Sequence, residues 1–250
     1  MGRMKDERID FVICSPPYDD LREYNGYEFE FEKIAYELFR VMKKGSVMVW
    51  VVGDQTINGS ETGTSFKQAL YFKEIGFKLW DTQIYYKNNP PPTAGNRYHQ
   101  HFEYMFVLSK DEPLTFNPIT EPTKYRGRAH FKNRDKDGSV SAEVRDRTTV
   151  KKVGNVFSYS VGSGLTTLDK IAFQHPAIFP ESLVHDQILT WTNEGDLVYD
   201  PFLGSGTTAK VARDLNRRWE GSEISEEYCK IAEQRLLQTK NEYLTNTEFF

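Results

Sequence analysis

At 250 residues, with 27% charged and 38% hydrophobic side chains, the chain suits one large α/β domain, or such a domain carrying an insertion, and can bury a sizeable core. Its two cysteines, Cys14 and Cys229, lie far apart without C-x-x-C spacing, which argues against a disulfide framework or a structural zinc site and fits a reducing, cytoplasmic setting. A formal charge of −4 argues weakly against a generic nucleic-acid binder, yet Lys124 to Lys152 holds ten Lys/Arg against four Asp/Glu, a local net of +6 that leaves −10 elsewhere.

The first predicted element is "IDFVIC", Ile9 to Cys14, a short β-branched run of the kind that forms a buried parallel strand. It ends on "SPPY", Ser15 to Tyr18, where two prolines resist continuation of the strand. Phe31, Ile34, Ala35, Leu38, Val41 and Met42 recur at helical spacing, with Gly45 read as the stop before a strand over Ser46 to Val52. A second helix is predicted from about Ser65 to Ile75. "FKLWDTQIYYK" and "HFEYMFVLS" then read as strands able to pair antiparallel, joined by the Pro-rich loop Asn88 to Gln100.

From Asp111 to Gln174 periodicity fades, and this stretch is read as a loop-rich insertion within one domain spanning 1–250. Pattern returns with a short helix around Leu183, Ile188 and Leu189, the strand "DLVYD", and "PFLGSGTTAKVARDLN", a glycine turn entering a helix. A strand over Trp219 to Ile224 precedes a helix whose N-cap is Ser225. The run Val47 to Val52 is far too short to span a bilayer and "MGRMKDER" is no signal peptide, so no membrane association is expected.

Strands alternating with helices predict a doubly wound, mostly parallel sheet, which binds ligands beyond the carboxyl ends of its strands. Two corners qualify: Ser15 to Tyr18, and "DPFLGSGTT", Asp200 to Thr208, whose small residues let backbone N–H groups approach a polar ligand. Glu223, near the end of the next strand, is placed to accept hydrogen bonds from two ribose hydroxyls. Each corner also has a plain reading, as a tight connection or a solvated carboxylate.

Taken together, "CSPPY", "HPAIFPESL", "DPFLGSGTT" and "GSEISEEYCKIAEQRL", in that order, resemble the amino-group DNA methyltransferases of the β arrangement, over residues 9 to about 237. The resemblance implies the S-adenosylmethionine-dependent methyltransferase fold, a catalytic motif preceding the cofactor motif, and a target-recognition region between them at 111–174. It implies S-adenosylmethionine as cofactor, held by Asp200, Phe202, Gly204, Gly206, Thr207 and Glu223, and double-stranded DNA as partner. A homodimer is left open. One departure is that the family usually carries a further strand upstream of the catalytic one, whereas eight residues precede Ile9 here.

The implied chemistry answers to the residues. An exocyclic base amine is a weak nucleophile because its lone pair is delocalised. By resemblance, the Ser15 side chain and the Pro16 carbonyl accept its two hydrogens, Pro17 stiffens the corner, and Tyr18 stacks on a base flipped out of the duplex. Transfer is then direct and governed by positioning. No metal is implied: His99 and His101 lack a third ligand. In the basic window Arg126, Arg128, Lys132 and Arg134 alternate as though lining one face, with Tyr125, His130 and Phe131 between them, and are the residues expected to meet DNA. By the same resemblance, Ser15 before the two prolines, where N6 enzymes more commonly carry Asp, tilts the target toward cytosine N4 over adenine N6. Methylation of RNA or of a protein amide, and a catalytically weak DNA-binding relative, stand as alternatives.

Overall fold

The computed structural model describes residues 1–2, 4–17, 29–93, 95–124, 126–146, 148–162 and 164–245, with the backbone alone over 239–245. Tyr18 and Tyr125 lie outside the described residues. The chain divides into two compact units, Met1–Asn117 with Asn155–Phe250, and Pro118–Gly154.

In the larger unit, β1 (Ile9–Cys14) leads to α1 (Phe31–Val41), β2 (Met42–Val52), the two-residue strands β3 (Thr56–Ile57) and β4 (Ser60–Glu61), α2 (Thr64–Glu74), β5 (Lys78–Lys87) and β6 (Phe102–Ser109). The smaller unit holds β7 (Thr120–Pro122), β8 (Arg128–Arg134), β9 (Val140–Asp146) and β10 (Val150–Lys152). The larger unit resumes with β11 (Val156–Tyr159), a 3-10 turn at Lys170–Gln174, α3 (Glu181–Trp191), β12 (Leu197–Asp200), α4 (Thr207–Asp214), β13 (Arg218–Gly221) and α5 (Glu226–Thr245).

Among the described residues, seven strands form the main sheet in the order β11-β5-β6-β2-β1-β12-β13, with β6 alone running antiparallel to its neighbours. The expected doubly wound, mostly parallel sheet is present. β1 sits between β2 and β12 and is buried on both faces, which is why its sequence is apolar without alternation. Val12 and Cys14 pack with Leu38 of α1 and Phe72 of α2, whereas Phe11 and Ile13 pack with Leu183 and Ile188 of α3. Each such fully buried aliphatic or aromatic side chain stabilises the fold by roughly 1.5 to 3 kcal/mol.

Two sequence expectations need correction. Gly45 does not terminate a helix: α1 ends at Val41 and β2 begins at Met42, so Gly45 falls inside the strand. Ile9 pairs with Met42 and Phe11 with Val47, so Lys43 to Ser46 bulge from the ladder. There Gly45 has φ +79°, and a Cβ would stand 2.4 Å from Leu114 Cγ. The loop-rich stretch also contains regular structure, namely the β8–β9 hairpin and β11, which extends the main sheet beside β5. The hairpin is exposed on both faces apart from Ala129, so it lacks the apolar alternation that would announce it.

Candidate functional site

Parallel pairing of β1 with β12, Phe11 opposite Val198 and Val12 opposite Tyr199, brings the two conspicuous corners together at one sheet edge. They share a cavity of about 1060 Å³, lined by Ser15, Pro16 and Pro17 on one side and by Asp200, Phe202, Gly204, Thr207 and Glu223 on the other. Its size is that of a small-molecule or cofactor site.

Asp200 organises the glycine turn from within. One carboxylate oxygen accepts the Phe202 N–H at 2.9 Å, and the other accepts the Thr208 hydroxyl at 2.6 Å. At 4% exposure, burial pushes its pKa up to about 7; the bonds from Thr208 and Phe202 oppose the shift and the Glu223 charge adds to it. Gly204 and Gly206 take φ +51° and +79°. A Cβ on Gly204 would meet His175 Nε2 at 3.1 Å, and one on Gly206 would meet the Ala232 Cβ of α5 at 3.0 Å. Gly206 is not among the residues lining the cavity, and close packing against α5 demands that glycine.

β13 ends at Gly221, three residues earlier than expected, and Glu223 follows it. Its Oε2 accepts the Gly204 N–H at 2.8 Å, while Oε1 accepts the N–H groups of Ile224 at 2.9 Å and Ser225 at 3.0 Å. Glu223 is therefore a staple between the glycine turn and the entry to α5, and each oxygen keeps further acceptor capacity. Ser225 caps α5, its hydroxyl accepting the Tyr228 N–H at 3.4 Å. Phe202 reaches both cavity and core, with ring centroids 5.6 Å from Phe29 and 6.1 Å from Trp50.

Sequence reasoning missed the group beneath this turn. Arg235 on α5 is fully buried; its guanidinium donates to Asp169 at 2.8 Å, to Glu181 at 2.5 Å, to the Thr207 hydroxyl at 2.9 Å and to the Ser205 carbonyl at 3.1 Å. Lys210 bridges Asp169 at 3.0 Å and Glu181 at 2.9 Å. Burial alone would raise the Asp169 carboxyl, but the bonds from Arg235 and Lys210 bring it below the usual range. The available signal was an arginine on the buried stripe of a helix, four residues after Ile231. His175 was also passed over within its quoted segment: it is buried, lines the cavity and meets the Tyr228 ring edge-on at 4.2 Å.

In the smaller unit, the β8–β9 ladder pairs Arg128 with Asp146, His130 with Val144, Lys132 with Ala142 and Arg134 with Val140. Paired residues share a face, so Arg128, His130, Lys132 and Arg134 line one side of the ribbon while Phe131, opposite Glu143, lies on the other. Arg126 precedes β8 and stands outside that row. The two histidines are engaged locally: His99 Nδ1 accepts the Thr93 N–H at 2.9 Å and His101 stacks on Tyr86. Among the described residues no cluster with metal-ligand composition occurs, and no helix is long and apolar enough to cross a membrane.

Residues 9–234 match the N6/N4 methyltransferase family model, described as DNA methylase. Among curated relatives, the orphan methyltransferase M.BamHII of Bacillus amyloliquefaciens is 54% identical over 235 residues, covering 91% of this chain and 88% of the relative. The type II methyltransferase M2.DpnII of Streptococcus pneumoniae is 28% identical over 263 residues, covering 97% and 87%. The fold is similar to the solved structure of the PvuII DNA methyltransferase (cytosine-N4-specific), with TM-score 0.67 at 21% identity over 94% of this chain and 81% of that one, and to the M1.HpyAVI–SAM complex, with TM-score 0.60 at 21% identity over 92% and 89%. The sheet, the paired corners and the family match over nine-tenths of the chain lead to one conclusion: the chain belongs to the N6/N4 DNA methylase family and is an S-adenosylmethionine-dependent DNA amino methyltransferase.

Proposed function

We propose that the protein methylates the N4 amine of cytosine in double-stranded DNA, and that Ser15 and Pro16 are the groups that handle the amine. The observation carrying this reading is the single cavity that joins Ser15–Pro17 to Asp200, Gly204 and Glu223. The cofactor end fits its ligand: two carboxyls suit a cationic nucleoside bearing ribose hydroxyls, and Phe202 and Phe29 supply an apolar wall. When bound, S-adenosylmethionine supplies a methyl group on a sulfonium.

The catalytic end is built to accept hydrogens. Pro16 and Pro17 have no N–H, so the corner's backbone offers carbonyl acceptors and no donor at those positions. Ser15 Oγ and the Pro16 carbonyl hold the two amine hydrogens, which localises the nitrogen lone pair for attack on the methyl carbon. A nitrogen–carbon bond forms as the sulfur–carbon bond breaks, and the amine then releases a proton. Cys14 is no nucleophile for a covalent route, because burial pushes its thiol far above its ordinary pKa and keeps it neutral. Tyr18 is assigned to stack on the flipped base.

The β8–β9 ribbon is assigned to DNA, since a two-stranded ribbon has the dimensions to enter the major groove and one face carries Arg128, Lys132 and Arg134. The 111–174 stretch is accordingly proposed to serve target recognition. Relatives named as type II enzymes favour a role in restriction-modification.

Nucleoside mass spectrometry of DNA treated with the enzyme tests the reading. N4-methylcytosine is expected. N6-methyladenine alone moves the target to the alternative base, and C5-methylcytosine overturns the mechanism. Ser15→Ala should remove a hydrogen bond worth about 1.5 to 3 kcal/mol and slow single-turnover transfer about ten- to 150-fold, with cofactor affinity nearly unchanged.

A further inference from the structure

Across the cavity from the cofactor end stands an ion pair that the chemistry above does not use. Lys87, at the end of β5, donates to Glu103 near the start of β6 at 2.5 Å, and the two side chains are only 18% and 14% exposed. Both line the same cavity as Ser15, and Lys87 is the one lysine or arginine among the described residues that do so. A pair this deeply set is weak evidence for stability, because desolvation offsets most of its attraction.

Register places the pair on the substrate side. Tyr85 faces Glu103 across β5 and β6, Gln83 faces Met105, and Met105 faces Val51 of β2. Cys14 is opposite Trp50, so Ser15 comes level with Val51 and its neighbour Met105. Ile13, Val51, Met105 and Tyr85 all pack on the α3 side of the sheet. Lys87, two residues after Tyr85, and Glu103, two residues before Met105 on the antiparallel β6, emerge on that same side, and Ser15 follows the last residue of β1 at that level. β6 is two strands from β1, or about 10 Å at ordinary strand spacing. Read across the edge, the sheet presents Lys87 and Glu103 on β5 and β6, Ser15 on β1, and Asp200 on β12. That span suits a pyrimidine ring held by its amine at one end and its carbonyl at the other.

We propose that the Lys87–Glu103 pair anchors the ring of the target cytosine, with the Lys87 ammonium donating to its O2 carbonyl while Glu103 holds that ammonium in position. This rests on the reading of the Ser15 corner as the methyl-transfer site. An ammonium has three N–H donors, of which one goes to Glu103. Adenine offers a ring-nitrogen acceptor rather than a carbonyl across the ring from its amine, so the contact fits cytosine O2 without by itself excluding adenine. A donor to O2 draws electron density away from the amine, so Lys87 is a positioning residue rather than an accelerating one.

The test compares Lys87→Met, Lys87→Arg and Glu103→Gln with wild type on unmethylated genomic DNA, using only variants whose melting temperature matches wild type and substituting Lys87→Gln if Lys87→Met fails that check. Lys87→Met should lower kcat/KM for DNA on the order of ten- to a hundredfold, mostly through KM, with Lys87→Arg and Glu103→Gln intermediate. S-adenosylmethionine affinity by calorimetry should stay within about twofold of wild type. Unchanged kcat/KM in Lys87→Met with N4-methylcytosine as the wild-type product overturns the anchor alone. Weakened cofactor affinity would assign Lys87 to the cofactor carboxylate and overturn it as well. So would a loss accompanied by a fall of about one in the salt slope, which marks a phosphate contact. N6-methyladenine from wild type removes the carbonyl and overturns both anchor and cytosine reading.

Discussion

The glycine turn and the β8–β9 ribbon are both sites for charged or polar partners, yet they are built oppositely. At the turn, Asp200, Glu223 and Arg235 are each held by several bonds from the chain itself, and Asp200 and Arg235 are almost wholly buried. On the ribbon, Arg128, Lys132 and Arg134 stand exposed, and the Arg128–Asp146 pair joins side chains that are 79% and 81% accessible. A cofactor pocket gains from groups fixed before the ligand arrives, since their ordering has already been met during folding. A surface that meets a polyanion needs cations that remain solvated and adjustable until contact.

Substitution at the turn should therefore be read first in stability and substitution on the ribbon first in salt-dependent binding. Arg235→Met is expected to have the largest effect, about 3 to 5 kcal/mol lost in urea denaturation, because Asp169 and Glu181 lose a buried counter-charge. A loss below about 1 kcal/mol would show that Lys210 alone satisfies both carboxylates.

Asp200 gives the contrast a pH signature. Its folded pKa of about 7 lies above the ordinary 3.8, so the folded state retains a proton that the unfolded chain has released. Stability should therefore fall as pH rises from about 4 to about 7, by an amount on the order of 2 to 4 kcal/mol, and level off above that window. Asp200→Asn should flatten the dependence. A wild-type protein that gains stability across the window would refute the assignment.

Glu223→Ala should weaken S-adenosylmethionine binding by roughly tenfold or more, through loss of the carboxylate and loosening of Gly204. Calorimetry measures this, and unchanged affinity would leave Glu223 as a staple only. The smallest stability change is expected from replacing Arg128, Lys132 and Arg134 together by Ala, within about 0.5 kcal/mol per site. The slope of log K for DNA against log salt should nevertheless flatten by about 3. A slope equal to wild type would detach the ribbon from DNA.

Local pattern was enough for the main elements. "IDFVIC", "DLVYD" and the glycine turn announce themselves by short-range composition, because a strand buried on both faces must be apolar throughout and a left-handed turn favours glycine. The hairpin β8–β9 left no such trace: its two faces are polar or solvated, so burial imposed no period on its sequence.

What the sequence by itself determined is the order of the motifs and the residue types at each corner, since these follow from neighbours along the chain. Which groups meet was decided by tertiary structure. Arg235 reaches Asp169 across 66 positions, Gly206 answers to Ala232 rather than to the cavity, and Lys87 joins the space around Ser15 through the strand order β5-β6-β2-β1. The physical reason is that a buried charge or a missing Cβ is explained by atoms a few ångströms away, and those atoms are brought there by sheet order and helix packing, which no local stretch encodes.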